Sequence, residues 1–100
     1  DEVSKNAGNM AGDYDMMGEL YQEMGDSQQA ERFFNQALET ARRINAPLQI
    51  ASANFNLGLL YKQKGRKNMA REYFRQAQEI YSKVDTPDYE KVKQELLSMD

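Results

Sequence analysis

The chain states one pattern twice, and that repetition limits its folds more than any other feature. MGELYQEMG at residues 17–25 is answered by LGLLYKQKG at residues 57–65, an offset of 40. The same offset carries Ala30, Phe34, Gln36, Ala37 and Glu39 onto Ala70, Phe74, Gln76, Ala77 and Glu79, and Pro47 onto Pro87. A period of this length marks a supersecondary unit that cannot cover its own apolar face and must stack against a neighbour.

Each unit reads as two helices. Gly25 and Gly65 close amphipathic stretches and precede polar residues, the pattern of a helix that ends at a left-handed residue. In unit one the first helix reaches about Met24 and the second runs from about Ser27 to about Ile44, entered through Asp26, Ser27 or Gln28. Ala30, Phe33, Phe34, Ala37, Leu38, Ala41 and Ile44 recur at spacings of three and four, which sets them on one buried stripe. In unit two the spacing predicts helices over about 47–64 and about 68–84, the second burying Ala70, Tyr73, Phe74, Ala77, Ile80, Tyr81 and Val84. Pro47 and Pro87 both suit a first helical position, where the missing N–H costs nothing. Tyr89, Val92, Leu96 and Met99 mark one face of a short final helix. Its register against unit two is open, since an offset of 40 sets Leu97-Ser98 on Leu57-Gly58 while 39 sets Leu96 on Leu57. Nowhere do β-branched residues alternate over a useful length.

Composition removes most chemistry. The chain has no Cys and no His among its 100 residues, so thiol nucleophiles, thiolate metal sites, the commonest metal ligand and the commonest general base are all absent. The carboxylate pairs Asp13 with Asp15 and Glu19 with Glu23 stand without a phosphate loop or a nucleophile elbow, and two exposed carboxylates hold a cation such as Ca²⁺ feebly. The reading is a non-catalytic module with no cofactor and no metal. A net charge of −3 and the lack of interleaved aromatics in a loop or sheet argue against nucleic acid. No apolar run reaches the ~18–20 residues of a membrane span, and the N-terminus lacks the basic start and apolar stretch of a signal peptide. Both point to a cytoplasmic protein. A chain that begins at Asp1 reads as a segment of a larger scaffold or adaptor.

The spacing of the repeated residues resembles the tetratricopeptide repeat. Leu57-Gly58, Tyr61, Gly65, Ala70, Phe74 and Ala77 occupy the positions of its signature in unit two, as Met17-Gly18, Tyr21, Gly25, Ala30, Phe34 and Ala37 do in unit one. Two departures stand out: the period is 40 rather than 34, as in the repeats of kinesin light chains and Pins-type scaffolds, and the large residue three before the Leu is Tyr14 in unit one but Asn54 in unit two. The resemblance implies an all-α helix–turn–helix solenoid. It forms a single domain over 1–100, with repeat 1 over about 11–46, repeat 2 over about 47–86 and a capping helix over about 87–99, about five helices in all. Physically, Gly18 and Gly58 are expected to face Ala30 and Ala70 where paired helices approach closely, with Phe34 and Phe74 filling the gaps between neighbouring pairs.

The resemblance also implies a concave groove lined by the first helix of each unit, binding a peptide or helix of a partner protein. Carried over by position, Asp15, Met16, Glu19 and Glu23, with Gln22, come from unit one. Phe55, Asn56, Leu59 and Lys62, with Gln63, come from unit two. Phe55 and Leu59 are four apart, away from Leu57, Gly58 and Tyr61, and serve either as groove anchors or as ordinary packing against the adjoining helix. The carboxylate clamp of this family does not fit, because Asp15 and Glu19 stand where it needs Lys and Asn. An acidic groove favours a basic or amphipathic partner. The alternative is self-association. Residues 1–50 carry nine acidic and four basic side chains against seven and nine in residues 51–100, the basic ones gathered at Lys62, Lys64, Arg66, Lys67, Arg71 and Arg75. Front and back of successive copies could then stack head to tail as a homo-oligomer.

Overall fold

A computed structural model describes residues 2–99, with side chains from Asn9 onward. Among these residues the chain forms five helices and no strand: α1 (Glu2–Glu23), α2 (Ser27–Arg43), α3 (Pro47–Gln63), α4 (Lys67–Tyr81) and α5 (Asp88–Ser98). α1 pairs with α2 and α3 with α4; α2 packs on α3, α4 on α5, and α1 also touches α3. The result is the helix–turn–helix repeat expected, with odd-numbered helices on one face and even-numbered helices on the other.

Local chemistry sets the helix ends. After α1, the Gly25 N–H donates to the Gln22 carbonyl and the Asp26 N–H to that of Tyr21; Gly65 and Arg66 do the same with Lys62 and Tyr61 after α3. This crossed pair of bonds satisfies carbonyls the helix leaves open and needs a left-handed residue, supplied by Gly25 at φ 84° and Gly65 at φ 80°. Asn45, at φ 52°, makes the same turn after α2. The Asp26 carboxylate accepts from the Gln29 N–H at 3.1 Å and so opens α2, and Pro47 stands in the first turn of α3.

Three boundaries differ from expectation. α1 begins at Glu2, 16 residues before Gly18, whereas α3 begins 11 residues before Gly58, so the first helix is longer than its counterpart in the next repeat. α4 stops at Tyr81, where the Ser82 hydroxyl turns back onto the Glu79 carbonyl at 2.7 Å, and Val84 is left exposed instead of completing the buried stripe. Pro87 caps α5 from outside rather than occupying its first position; the Thr86 hydroxyl accepts from the Asp88 N–H at 3.3 Å. The register of α5 is settled by burial. Val92 and Met99 are buried and Leu96 packs against the core, which matches the fully buried Ala53, Leu60 and Leu57 of α3 at an offset of 39.

Each pair closes on one contact. A methyl group built on Gly58 would lie 2.5 Å from the Phe74 ring, and one on Gly18 would meet Phe34 in the same way. The glycines thus make room for the rings of Phe34 and Phe74, which stand nearer to the added methyl than Ala30 or Ala70 does. Both rings are fully buried and lie against the glycine of their own pair, a correction to their expected place between pairs. At the outer edge of each pair a second contact repeats: Tyr21 stacks on Phe33 and Tyr61 on Tyr73, both with centroids 5.5 Å apart.

Two substitutions test this closure by urea unfolding. Gly58→Ala should cost about 1–3 kcal/mol through overpacking, and Phe74→Ala about 3–5 kcal/mol through the cavity it leaves. In a Phe74→Leu background the Gly58→Ala cost should shrink to a fraction of its value, because the ring that the new methyl strikes is gone.

Candidate functional site

The odd-numbered face holds an open hollow of about 520 Å³ between α1 and α3, lined by Glu19, Gln22, Glu23, Asn56, Leu59 and Gln63. Helical spacing explains the set: Glu19, Gln22 and Glu23 recur at three and four on α1, and Asn56, Leu59 and Gln63 do so on α3. Across the hollow the Gln22 amide donates to the Gln63 carbonyl oxygen at 3.2 Å. Of the residues expected in the groove, Glu19, Glu23, Asn56 and Leu59 are thus brought together.

The other four lie apart from the hollow. Asp15 is only 9% exposed and sits between α1 and α3, where the Ser52 hydroxyl donates to its Oδ2 at 3.2 Å; it is an interface residue and not a free rim carboxylate. Phe55 is half-buried with its ring tilted against Phe74, centroids 5.6 Å apart. Met16 turns to the outer side of α1. Lys62 reaches to α5, donating to Glu95 at 2.7 Å, so its charge is engaged within the chain.

Sequence reasoning missed Ser52 and Glu95. Ser52 stands one helical turn before Asn56, so a second polar residue on the same side of α3 was the signal for it. The role of Glu95 depends on how α5 crosses α3, which helical spacing does not reveal.

Asp15 is the perturbed acid of this face. Burial pushes its pKa up to about 6; hydrogen bonding by Asn56 and then Ser52 pulls it down, and Glu19 nearby pushes it up again. Its Oδ1 and the Oδ1 of buried Asn54 have no hydrogen-bond partner. Elsewhere Tyr61 donates to Glu31, which lowers the Glu31 pKa, and burial followed by that same bond raises the Tyr61 phenol to about 12. Lys64 adds an ion pair to Glu31 at 3.3 Å and lies over the Tyr61 ring at 5.3 Å. These contacts tie α2 to the end of α3 and engage part of the basic cluster at the turn.

Glu19 and Glu23 acquire no third acidic ligand, and no group of three or more such ligands assembles among the described residues. No helix there is long and apolar enough to cross a membrane. The model of one family, the tetratricopeptide repeat, matches residues 10–83. No curated protein matches the chain.

The raised pKa of Asp15 has a direct consequence for stability. The folded state holds the Asp15 proton more tightly than the unfolded chain, so its contribution favours folding at low pH and is lost as pH rises from about 4 through about 6. Asp15→Asn removes that dependence. Relative to wild type, the variant should gain about 1–3 kcal/mol of unfolding free energy between pH 4.5 and pH 7.5 in urea titrations.

Proposed function

The chain belongs to the tetratricopeptide repeat family, and from that premise we propose that its odd-numbered face binds a peptide or helix of a partner protein. Repeats of this family generally mediate protein–protein interaction and are typically non-catalytic. The observation that carries the reading for this chain is the open hollow between α1 and α3, with Leu59 as its apolar element and Glu19 and Glu23 along one edge.

The residues divide the work by chemistry. Leu59 is half-buried, leaving part of its side chain for an apolar residue of the partner. Glu19 and Glu23 favour Lys or Arg beside that residue and disfavour acidic segments. Gln22, Gln63 and Asn56 offer amides to the partner's backbone. Asp15 holds the seam beneath them, Phe55 braces α3 through Phe74, and Lys62 with Glu95 borders the groove toward α5. Met16 borders it on the outer side of α1. Helices already formed spare the receptor an ordering cost, so a contact of this size suffices for micromolar binding. In a larger scaffold or adaptor the groove would serve as a docking point.

A phage-displayed library of random peptides, panned on the chain, tests this. Enriched peptides should combine apolar residues with Lys or Arg, and Leu59→Glu, with helicity checked by circular dichroism, should weaken them about tenfold or more. Equal binding to the folded variant would move the site off this face.

A further inference from the structure

A buried acid adjoins the hollow between α1 and α3. Asp15 stands one helical turn before Glu19 on α1, and Ser52 and Asn56 of α3 hydrogen-bond its carboxyl from across the seam. Glu19 and Asn56 both line the hollow, so Asp15 is bonded to one wall and lies one turn from the other. The carboxyl is held unevenly: Oδ2 accepts from Ser52 at 3.2 Å, whereas Oδ1 is buried with no hydrogen-bond partner. A proton added at Oδ1 therefore breaks no existing bond.

The neighbouring groups favour that proton. α1 sets Glu19 beside Asp15, and α3 sets the uncharged Ser52 and Asn56 there. From α4 comes Tyr81, whose phenol is raised to about 12 by burial, then by Asp88 at the start of α5, then by Asp15 itself. α2 turns the rings of Phe33 and Phe34 toward α1. Burial pushes the Asp15 carboxyl up to about 6 against the bonds from Asn56 and Ser52, and Glu19 adds to the rise. A cation brought into the hollow works the other way, since it favours the charged form of a carboxyl one turn distant.

Taking the hollow as the partner site, on which this inference rests, we propose that Asp15 is its positioning residue: ionised, it sets Asn56 to hold a basic segment of the partner, and mild acidification releases that segment. The carboxylate accepts from the Asn56 amide NH₂ and leaves the amide oxygen for an N–H or ammonium of the partner. Protonated, Asp15 carries a donor of its own, which takes the amide oxygen and turns the NH₂ outward, where it opposes a cation. The partner's cation in turn lowers the Asp15 pKa by about one pH unit, so by linkage affinity rises as pH climbs from about 5 through about 6. Folding runs in the opposite sense, because the protonated acid favours the folded state; weaker binding at low pH is therefore not unfolding.

Solution NMR tests this with two signals: the Leu59 methyls report occupancy of the hollow, and the ¹³C resonance of the Asp15 carboxyl reports its proton. The probe is an acetylated, amidated peptide of three Leu-Lys-Ser-Gly units, with no group that titrates between about pH 5 and about pH 7.5, beside a counterpart with Gln in place of Lys. Wild-type affinity for the Lys peptide should fall about fivefold from about pH 7.5 to about pH 5, and the Asp15 titration should move down by about one pH unit in the complex. Asp15→Asn keeps Glu19 and Glu23; at about pH 7.5 it should bind about as weakly as wild type does at about pH 5, and most of the pH dependence should vanish. The Gln peptide should change less than about twofold over the same range. A Lys peptide that leaves the Leu59 methyls unmoved at about pH 7.5 would overturn the groove and this proposal together. Equal affinity at both pH values, an equal fall in Asp15→Asn or with the Gln peptide, or an Asp15 titration indifferent to the peptide would overturn this proposal alone and leave the groove standing.

Discussion

The fold rests on a ring pressed against a glycine. Phe34 on Gly18 and Phe74 on Gly58 bring two helices together at a point where one of them contributes no side chain, and each buried ring fills the space so left. Interiors packed to crystal density do not stretch, so the distance set at this one point fixes how the whole pair lies. The stacked rings of Tyr21 with Phe33 and Tyr61 with Tyr73 hold the outer edge at a matching separation. With the pairs made rigid, the odd-numbered helices can present side chains from α1 and α3 across a shared hollow.

Polar contacts between pairs are few and carry more consequence. On the odd-numbered face Ser52 reaches Asp15, Gln22 reaches Gln63 and Lys62 reaches Glu95, each bond joining one odd helix to the next. Behind them, Glu31 collects both Tyr61 and Lys64 at the end of α3. The exposed members of this set contribute little each. Asp15 differs, because burial makes its charge costly and ties the α1–α3 seam to its protonation.

How far the sequence revealed this follows from which features are local. Helical spacing placed Phe34, Ala37, Phe74 and Ala77 inside, because burial of a helix face repeats every three to four residues and needs no knowledge of the partner. Gly25 and Gly65 announced two turns for a similarly local reason, the left-handed backbone after a helix. Val84 misled because its spacing is right while the helix has already ended at Tyr81. That Glu19, Glu23, Asn56 and Leu59 share the side bordering the hollow was legible from repeat phase, since phase fixes which side of a helix a residue occupies. Asp15, Phe55 and Lys62 were not, because their positions depend on Ser52, Phe74 and Glu95, each supplied by a different helix. The exposure of Met17 and Leu20 escaped too: their counterparts Leu57 and Leu60 are buried, and repeat phase alone does not say which helices cover a given face.

One feature of the fold bears on how the chain comes to be folded at all. Each helix packs chiefly on the helix before or after it, and the longer reach from α1 to α3 spans one intervening helix. Contacts this close along the chain close small loops, whose entropy cost is low, and chains of this kind fold quickly. Growth can begin with either pair and proceed by adding one helix at a time. The α3–α4 pair, bordered by α2 on one side and α5 on the other, is the place from which assembly can advance in both directions along the chain.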